Sequence, residues 1–190
     1  MAPMHDDKEL VRRTLQGDKQ AFEMILKKHQ QPLLNYVGRM VQNRELALDF
    51  TQDIFIKTYY ALDTYQPRYK FKTWLFKIAS NHIIDYWRKK KIEAFSINHR
   101  NRRDSDQSGF QIPSNEPSTC KKFELTDLRH KIEQALEKLP PSLRELFIWR
   151  HVNEFSYEEI AEIKGLPVGT VKNRVYQSKE FLRQFLEEKI

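Results

Sequence analysis

Apolar residues recur every three to four positions through most of this chain, and this spacing limits the fold more than any other feature. Residues 22–41 follow a helical repeat whose start Asp18 can cap, and residues 47–62 follow another. A third helix is predicted from Phe71, and it ends in the basic run at 88–91. No segment competes with these as a strand, and only 5 glycines are present, which does not suit a turn-rich β protein. The predicted fold class is therefore all-α.

A polar stretch divides the predicted helices into two groups. Residues 92–127 are rich in Ser, Asn, Asp, Arg and Pro, and such a segment buries too little apolar surface to offset the entropy cost of ordering it. We therefore predict two helical domains, at 6–91 and 128–190, joined by an extended linker over 92–127. The acidic triplet at 104–106 hints at a calcium loop, but the later ligands are missing.

The second predicted domain contains two helices around a tight turn. Ser156 and Glu159 have the spacing of a capping box, and Gly165 follows the end of the short helix that they start. Pro167 suits the first turn of the next helix, since the amide hydrogen that proline lacks would have no helical partner there. This pattern is a helix-turn-helix, whose outward residues are of types that read bases in the major groove: Lys172, Asn173, Tyr176 and Gln177. The alternative is an ordinary helical hairpin with a solvated polar face.

The net charge of +7 is concentrated in one part of the first domain. Residues 57–91 contain nine Lys or Arg and two Asp, so the rest of the chain is balanced. Aromatic residues are interleaved with these cations, and rings that stack on bases beside cations that contact phosphates suit single-stranded nucleic acid. Spacing places Phe71 and Trp74 in the core, which leaves Tyr65 and Tyr69 of the predicted loop as the stacking candidates. The other interpretation is a basic face that is merely solvated.

Features that the sequence lacks narrow the classes of function. No apolar run approaches the roughly 20 residues that span a bilayer, and the first ten residues lack the apolar segment of a signal peptide. Cys120 is the one cysteine, which excludes an internal disulfide and suits a reducing cytoplasm. The histidines are scattered and no glycine-rich phosphate loop or nucleophile motif is present, so no cofactor, metal site or catalytic residue is predicted. We expect a cytoplasmic protein that is not an enzyme.

Three motifs, in this order and at these distances, closely resemble those of bacterial sigma-70-family initiation factors. They are ALDFTQDIFIKTYYALDTY at 47–65, FKTWLFKIASNHIIDYWRKKK at 71–91, and LEKLPPSLRELFIWRHVNEFSYEEIAEIKGLPVGTVKNRVYQSKEFLR at 136–183. The short two-domain form resembles the extracytoplasmic-function subgroup, and the resemblance covers residues 10–186 apart from the linker. It implies a transcription initiation factor that directs core RNA polymerase to promoters.

The resemblance implies a separate role for each region. The helix that includes 47–56 would bind the clamp helices of core RNA polymerase. The loop before the tryptophan helix and an asparagine within that helix would capture the non-template strand of the −10 element, and the helix-turn-helix would read the −35 duplex. The residues implied are Asp49, Gln52, Asp53 and Ile56 for the polymerase, then Lys57, Ala61, Tyr65, Phe71, Lys77 and Asn81 for the −10 strand, and finally Thr170, Lys172, Asn173, Arg174, Tyr176 and Gln177 for the −35 duplex.

The resemblance also implies the partners, which are core RNA polymerase, promoter DNA and an anti-sigma factor, often one anchored in a membrane, that covers the polymerase-binding faces. Two alternatives belong to other classes of function. A stand-alone helix-turn-helix regulator would leave the basic aromatic segment at 57–77 unexplained. An enzyme acting on nucleic acid would require the catalytic motifs that this sequence lacks.

Overall fold

The computed structural model describes residues 6–97 and 131–187, which divide between two compact units. One unit lies within residues 1–108 and the other within 109–190. The described segments consist of helices and their connections, without a strand, so the all-α prediction is confirmed for them. No helix of these segments is both long and apolar enough to cross a bilayer, and they gather no group of three His, Cys, Asp or Glu side chains able to hold a metal ion. Cys120 and the acidic triplet at 104–106 lie outside the described residues.

The described part of the first unit contains four α-helices. They are α1 at Asp7–Leu15, α2 at Lys19–Val41, α3 at Arg44–Tyr60 and α4 at Phe71–Ile97, with a 3-10 turn at Leu62–Thr64. Asp18 caps α2, as predicted, because its carboxylate accepts hydrogen bonds from the amides of Gln20 and Ala21 at 3.0 and 3.2 Å. Asn43 caps α3 in the same way through the amide of Leu46, at 2.8 Å.

Helix α2 forms the centre of the first unit, since it packs against α1, α3 and α4. Its fully buried side chains include Ile25, Leu33 and Tyr36. The Tyr36 ring packs against Phe76 of α4, with the ring centroids 5.3 Å apart. Each such side chain contributes about 1.5–3 kcal/mol through burial. This packing sets the positions of α3 and α4, on which the candidate site is built.

An ion pair ties the start of α1 to α2. Asp7 Oδ2 lies 3.2 Å from Nε2 of the buried His29, and Asp7 Oδ1 lies 2.8 Å from Lys28 Nζ. Burial acts to raise the pKa of Asp7, but the contacts with His29 and Lys28 outweigh burial and hold the pKa below its ordinary value of 3.8. The ion pair therefore stabilises this unit only while Asp7 is ionised.

Helix α4 is longer than predicted. The prediction ends it at the basic run of 88–91, whereas the helix continues to Ile97. Lysine and arginine are good helix formers, and residues 92–97 contain no glycine or proline that would stop the helix. Residues 92–97 are therefore helix and not linker, while the rest of the predicted linker, 98–127, lies outside the described residues.

The described part of the second unit contains four helical segments. They are α5 at 131–138, α6 at Pro141–His151, α7 at Tyr157–Lys164 and α8 at Val168–Glu187. The predicted capping box is confirmed, since Ser156 Oγ accepts from the amide of Glu159 at 3.1 Å and the Glu159 carboxylate accepts from the amide of Ser156 at 2.7 Å. Gly165 ends α7 with a φ of +63°, in the left-handed region that favours glycine. Together α7, this turn and α8 form the predicted helix-turn-helix.

Two adjacent buried charges on α6 hold its neighbours in place. Arg144 donates to the carbonyl oxygens of Glu137 and Leu139, at 2.7 and 3.1 Å, beside the end of α5. Glu145 accepts a hydrogen bond from Lys164 Nζ at 2.6 Å and thereby joins α6 to α7. Removing Lys164 would deprive the buried carboxylate of Glu145 of this compensating charge, and displacing α5 would leave the buried guanidinium of Arg144 without its acceptors. These contacts therefore favour a single arrangement of the helix-turn-helix.

Candidate functional site

An apolar groove of about 830 Å³ runs between α2 and α3. The side chains that give it this character are Phe22, Leu26, Leu34, Leu48, Phe55, Ile56, Tyr59 and Tyr60. Helical spacing predicts Phe22, Leu26 and Leu34 to face inward, but the structure leaves each of them only half-buried. Spacing identifies the apolar face of α2, and it does not show how much of that face another helix covers. The groove is therefore a product of packing that the sequence did not predict.

The α3 side of the groove carries most of the residues implied to contact polymerase. Asp49, Gln52 and Ile56 all line it, and Ile56 keeps 48% of its surface exposed. Asp53 does not line the groove, because its carboxylate is directed toward α4, where Oδ2 lies 4.0 Å from His82 Nε2. The structure thus brings three of the four residues together at the groove, and the fourth carboxylate lies outside it, toward α4.

Tyr65 closes the loop between the 3-10 turn and α4. Its hydroxyl donates to the carbonyl oxygen of Tyr69 at 2.7 Å, and its ring meets Phe71 edge-on with centroids 5.5 Å apart. Burial, reinforced by the charges of Asp7 and Asp6, raises the pKa of the Tyr65 hydroxyl, so the hydroxyl stays protonated and remains a donor.

Tyr65 and Phe71 are buried, with 7% and 1% of their surfaces exposed. The prediction that the Tyr65 ring stands open for a base does not agree with this structure, although Phe71 is in the core as its spacing predicts. Tyr65 is buried because its ring packs on Phe71 and Trp74, a contact that the local loop sequence does not reveal. Both rings therefore support the shape of the loop.

The outer part of this loop combines a cation with a ring. The guanidinium carbon of Arg68 lies 4.6 Å above the ring centre of Tyr69, which is half-buried. This cation–π contact places a planar, permanently charged group on the loop surface. Ala61, the half-buried C-cap residue of α3, lies just before the 3-10 turn and carries no polar side chain.

A basic stripe runs along the exposed side of α4. Lys77 and Asn81 are both exposed and lie one turn apart, and Arg88 continues the same face two turns later. Lys57 approaches from α3, with Nζ 2.6 Å from Nδ1 of His82. Three of the residues implied for the −10 strand are therefore accessible, namely Lys57, Lys77 and Asn81. The Asn81 amide, which can both donate and accept hydrogen bonds, lies among cations.

Two exposed rings of the basic segment 57–91 were not singled out from the sequence. Tyr60, at the end of α3, is 80% exposed, and Trp87 on α4 is 37% exposed. Lys90 Nζ lies 5.5 Å above the Trp87 ring. Their position within the basic segment 57–91 could have identified them as stacking candidates, but the sequence analysis favours the loop residues Tyr65 and Tyr69. His82 gave no local signal, because its partner Lys57 is 25 residues away.

Helix α8 presents the predicted polar face. Lys172, Asn173 and Gln177 are exposed, and Tyr176 keeps 61% of its surface exposed. The opposite side of α8 is buried through Val171, Val175, Ser178 and Leu182. Thr170 and Arg174 of the predicted set are half-buried and lie at the edges of this face. The arrangement leaves a row of hydrogen-bonding side chains along one helix, which fits the major groove of a duplex.

Tyr157, the first residue of α7, collects two cations beside this row. The Arg150 guanidinium lies 4.7 Å and Lys172 Nζ lies 5.7 Å from the centre of its ring. Arg150 also donates to the carbonyl oxygen of Phe155 at 3.0 Å, which fixes its position. Sequence reasoning did not include Tyr157 or Arg150, since the contact joins residues of α6, α7 and α8.

Comparisons with known proteins agree with this geometry. Family models for Sigma-70 region 2 and Sigma-70 region 4 match residues 25–92 and 129–182. The RNA polymerase sigma-H factor of Pseudomonas aeruginosa is 29% identical over 191 residues, which cover 98% of this chain and 97% of the relative. The ECF RNA polymerase sigma factor SigW of Bacillus subtilis is 31% identical over 188 residues, which cover 95% of this chain and 97% of that one.

A solved structure shows the same fold. The sigma factor RpoE in complex with the anti-sigma factor NepR from Bartonella quintana matches with a TM-score of 0.72 and 25% identity, over 87% of this chain and 96% of RpoE. Family, sequence and fold comparisons therefore agree with the resemblance found in the motifs. The chain belongs to the extracytoplasmic-function group of the sigma-70 family, whose members are RNA polymerase sigma factors for transcription initiation.

Proposed function

We propose that this protein directs core RNA polymerase to promoters by using three separate surfaces. The α2–α3 groove binds polymerase, the loop at 65–70 with the basic stripe of α4 holds the melted −10 strand, and α8 reads the −35 duplex. One observation carries the proposal, namely the division of α3 between two surfaces. Asp49, Gln52 and Ile56 line the apolar groove, whereas Lys57 lies against α4. One short helix thus connects polymerase binding to strand capture.

The groove suits a helical partner. A concave apolar surface accepts the apolar face of an amphipathic helix, and polar residues at its rim set the register of that helix. Asp49 and Gln52 provide such a rim on α3, and Lys19 and Glu23 provide one on α2. Phosphodiester synthesis belongs to the polymerase in this proposal, and this chain supplies positioning.

Capture of the −10 strand depends on groups that are accessible in this structure. Extracting a base from the stack costs a few kcal/mol, and stacking on one ring returns roughly 1–3 kcal/mol per base. We assign stacking to Tyr69 with the Arg68 guanidinium, and base selection to the exposed amide of Asn81. Tyr65 and Phe71 act by holding the loop, as their burial supports. The path of the strand is lined by Lys57, by Lys77 and by the end of α3 at Ala61.

The −35 duplex is assigned to the exposed face of α8. Asn173 and Gln177, one turn apart, have the amide groups that pair with adenine edges, and Lys172 suits a guanine or a phosphate. Thr170, Arg174 and Tyr176 complete the contact surface. A Cβ added at Gly169 would meet no atom within 4 Å, so packing within this protein does not demand glycine there. The open space beside Gly169 suits the close approach of a DNA backbone.

We further propose an anti-sigma factor as a regulatory partner. The support is the Bartonella RpoE structure, in which the related sigma factor is in complex with the anti-sigma factor NepR. An exposed apolar groove that must be open to polymerase suits such a regulator, because a regulator bound in the groove would exclude polymerase from it. On this view the anti-sigma factor of this chain competes with polymerase for the α2–α3 groove.

The experiment that tests the proposed function compares promoter binding with and without core RNA polymerase. A promoter library with randomised −10 and −35 elements supplies the template for selection by the holoenzyme. We expect this protein by itself to bind the selected promoters weakly in a mobility-shift assay, and to bind tightly and support run-off transcription once core polymerase is added. Tight sequence-specific binding by the protein alone, without run-off product on adding polymerase, would instead identify a stand-alone helix-turn-helix regulator.

A further inference from the structure

Lys57 rests on a histidine whose position is fixed by packing. Lys57 Nζ lies 2.6 Å from Nδ1 of His82. The side chain of His82 is only 11% exposed, and its ring meets Phe50 edge-on, with centroids 4.6 Å apart and an angle of 88° between the rings. Phe50 in turn packs against Tyr86 at 4.9 Å. Packing therefore holds the imidazole in place, and the long, rotatable side chain of Lys57 contacts it.

The contact defines the protonation state of the histidine. A lysine ammonium donates hydrogen bonds and accepts none, so Nδ1 of His82 must carry a lone pair and the proton lies on Nε2. Burial, and then the charge of Lys57, lower the pKa of His82 below its ordinary value of 6.5. The carboxylates of Asp53 and Asp85 act against this shift, and Lys89 acts with it. At neutral pH the imidazole is uncharged and accepts from Lys57.

We propose that His82 is a positioning residue for Lys57, and that it holds the ammonium group where the melted −10 strand passes. The inference rests on the proposed function, in which Lys57 contacts that strand. Lysine loses much rotamer freedom when it is fixed, and the contact with His82 removes part of this loss before DNA arrives. The ammonium has three donors, so two remain for phosphate oxygens. Protonation of His82 removes the acceptor, places two cations in contact and releases Lys57.

The test uses holoenzyme made from the full chain and core polymerase, with permanganate reactivity of −10 thymines as the measure of opening. His82→Phe keeps a ring on Phe50 but removes the acceptor, and it should lower opening about three- to ten-fold at neutral pH. His82→Asn carries an amide oxygen near the place of Nδ1 and should retain opening. Lys57→Ala combined with His82→Phe should be no worse than Lys57→Ala alone. Lys27→Ala, which removes an exposed lysine of α2, should have no effect.

The pH profile supplies a readout that a merely structural role would not change. Opening by wild type, divided by opening by His82→Asn at the same pH, should fall as the pH drops below 6.5, the ordinary value for histidine. The division removes the pH dependence of the polymerase. A flat ratio, or additive effects of the two substitutions, would overturn the inference. Far-ultraviolet circular dichroism and thermal unfolding confirm that each variant is folded.

The outcomes separate this inference from the proposed function. If Lys57→Ala opens promoters as wild type does, the assignment of Lys57 to the −10 strand is wrong, and the positioning role fails with it. If Lys57→Ala is defective but His82→Phe is not, only the positioning role is wrong. The contact is also tested without DNA, by ¹⁵N NMR of the His82 imidazole in the full chain. A proton on Nε2, and a titration that moves to higher pH in Lys57→Ala, would support the inference, whereas a proton on Nδ1 would overturn it.

Discussion

The apolar groove between α2 and α3 provides the sharpest test of where polymerase binds. The change is Leu48→Ala together with Ile56→Ala, which shortens two groove side chains on α3. These residues are already 47% and 48% exposed, so their truncation removes little of the packing that holds the unit together. Alanine is also the best helix former, so α3 itself should not weaken. The substitution therefore acts mainly on a partner that covers the groove.

The expected magnitude follows from the exposed surface. Full burial of a leucine or isoleucine side chain contributes about 1.5–3 kcal/mol, and roughly half of each side chain remains for a partner to bury. Each truncation should then cost about 1 kcal/mol of binding, and the pair should cost about 2 kcal/mol. Since about 1.4 kcal/mol is tenfold in affinity, the affinity for core polymerase should fall roughly thirty-fold.

The assay is equilibrium binding of fluorescently labelled protein to core RNA polymerase, followed by run-off transcription at limiting and saturating protein. We expect weaker binding, and a transcription defect that high protein concentration overcomes, because the residues proposed to contact DNA are unchanged. Leu15→Ala is the matched control, since Leu15 is 55% exposed and does not line the groove. If the double variant binds polymerase as tightly as Leu15→Ala does, the assignment of the groove to polymerase is refuted.

Four further predictions concern the rim of the groove, the two proposed DNA-binding surfaces and acid stability. Asp49→Arg with Gln52→Ala should weaken capture of core polymerase in a pull-down while leaving the fold intact, because a reversed charge adds repulsion at a contact. Asn81→Ala should lower permanganate reactivity of −10 thymines without weakening the closed complex. An artificially premelted template should restore opening only partly. If the variant opens an intact promoter as well as wild type does, the assignment of Asn81 is wrong. Lys172→Ala should weaken closed-duplex binding and reduce the salt dependence by about one counterion if its contact is to phosphate, which a salt titration measures. The pKa of Asp7 is lowered in the folded protein, so its ion pair contributes fully above the ordinary value of 3.8 and is lost as the pH falls through the lowered value. Asp7→Asn should therefore reduce the free energy of unfolding at neutral pH, and the loss of stability with falling pH should be less steep than in wild type, as chemical denaturation at several pH values would measure.

The amino-acid sequence by itself determined the features that depend on near neighbours. Helices α2, α3, α7 and α8, the cap at Asp18, the capping box at Ser156 and Glu159, and the turn at Gly165 were predicted and are confirmed, whereas α1 was not predicted and α4 is longer than predicted. Each involves residues at most four or five positions apart, so the physical cause is contained within a short stretch. The outward face of α8 was predicted for the same reason, since helical geometry alone decides which residues share a side.

The tertiary structure alone decided what covers each face. Phe22 and Leu26 lie on the apolar side of α2 as predicted, yet they line an open groove because α3 covers only part of that side. Tyr65 lies in the predicted loop, yet its ring is buried against Phe71 and Trp74. Helical periodicity gives a side chain a direction, but it does not specify the element that meets it, which depends on how distant segments pack.

The same physical reason explains the charged groups of the site. Gln52 and Asp53 are consecutive in α3 and the resemblance implies the same role for both, but Gln52 lines the groove and Asp53 is directed toward α4. Lys57 was predicted as a DNA contact, whereas its histidine partner was not, because 25 residues separate the two in the chain. Contacts of this kind exist only after α3 and α4 have packed on α2, and no local pattern of residues records them.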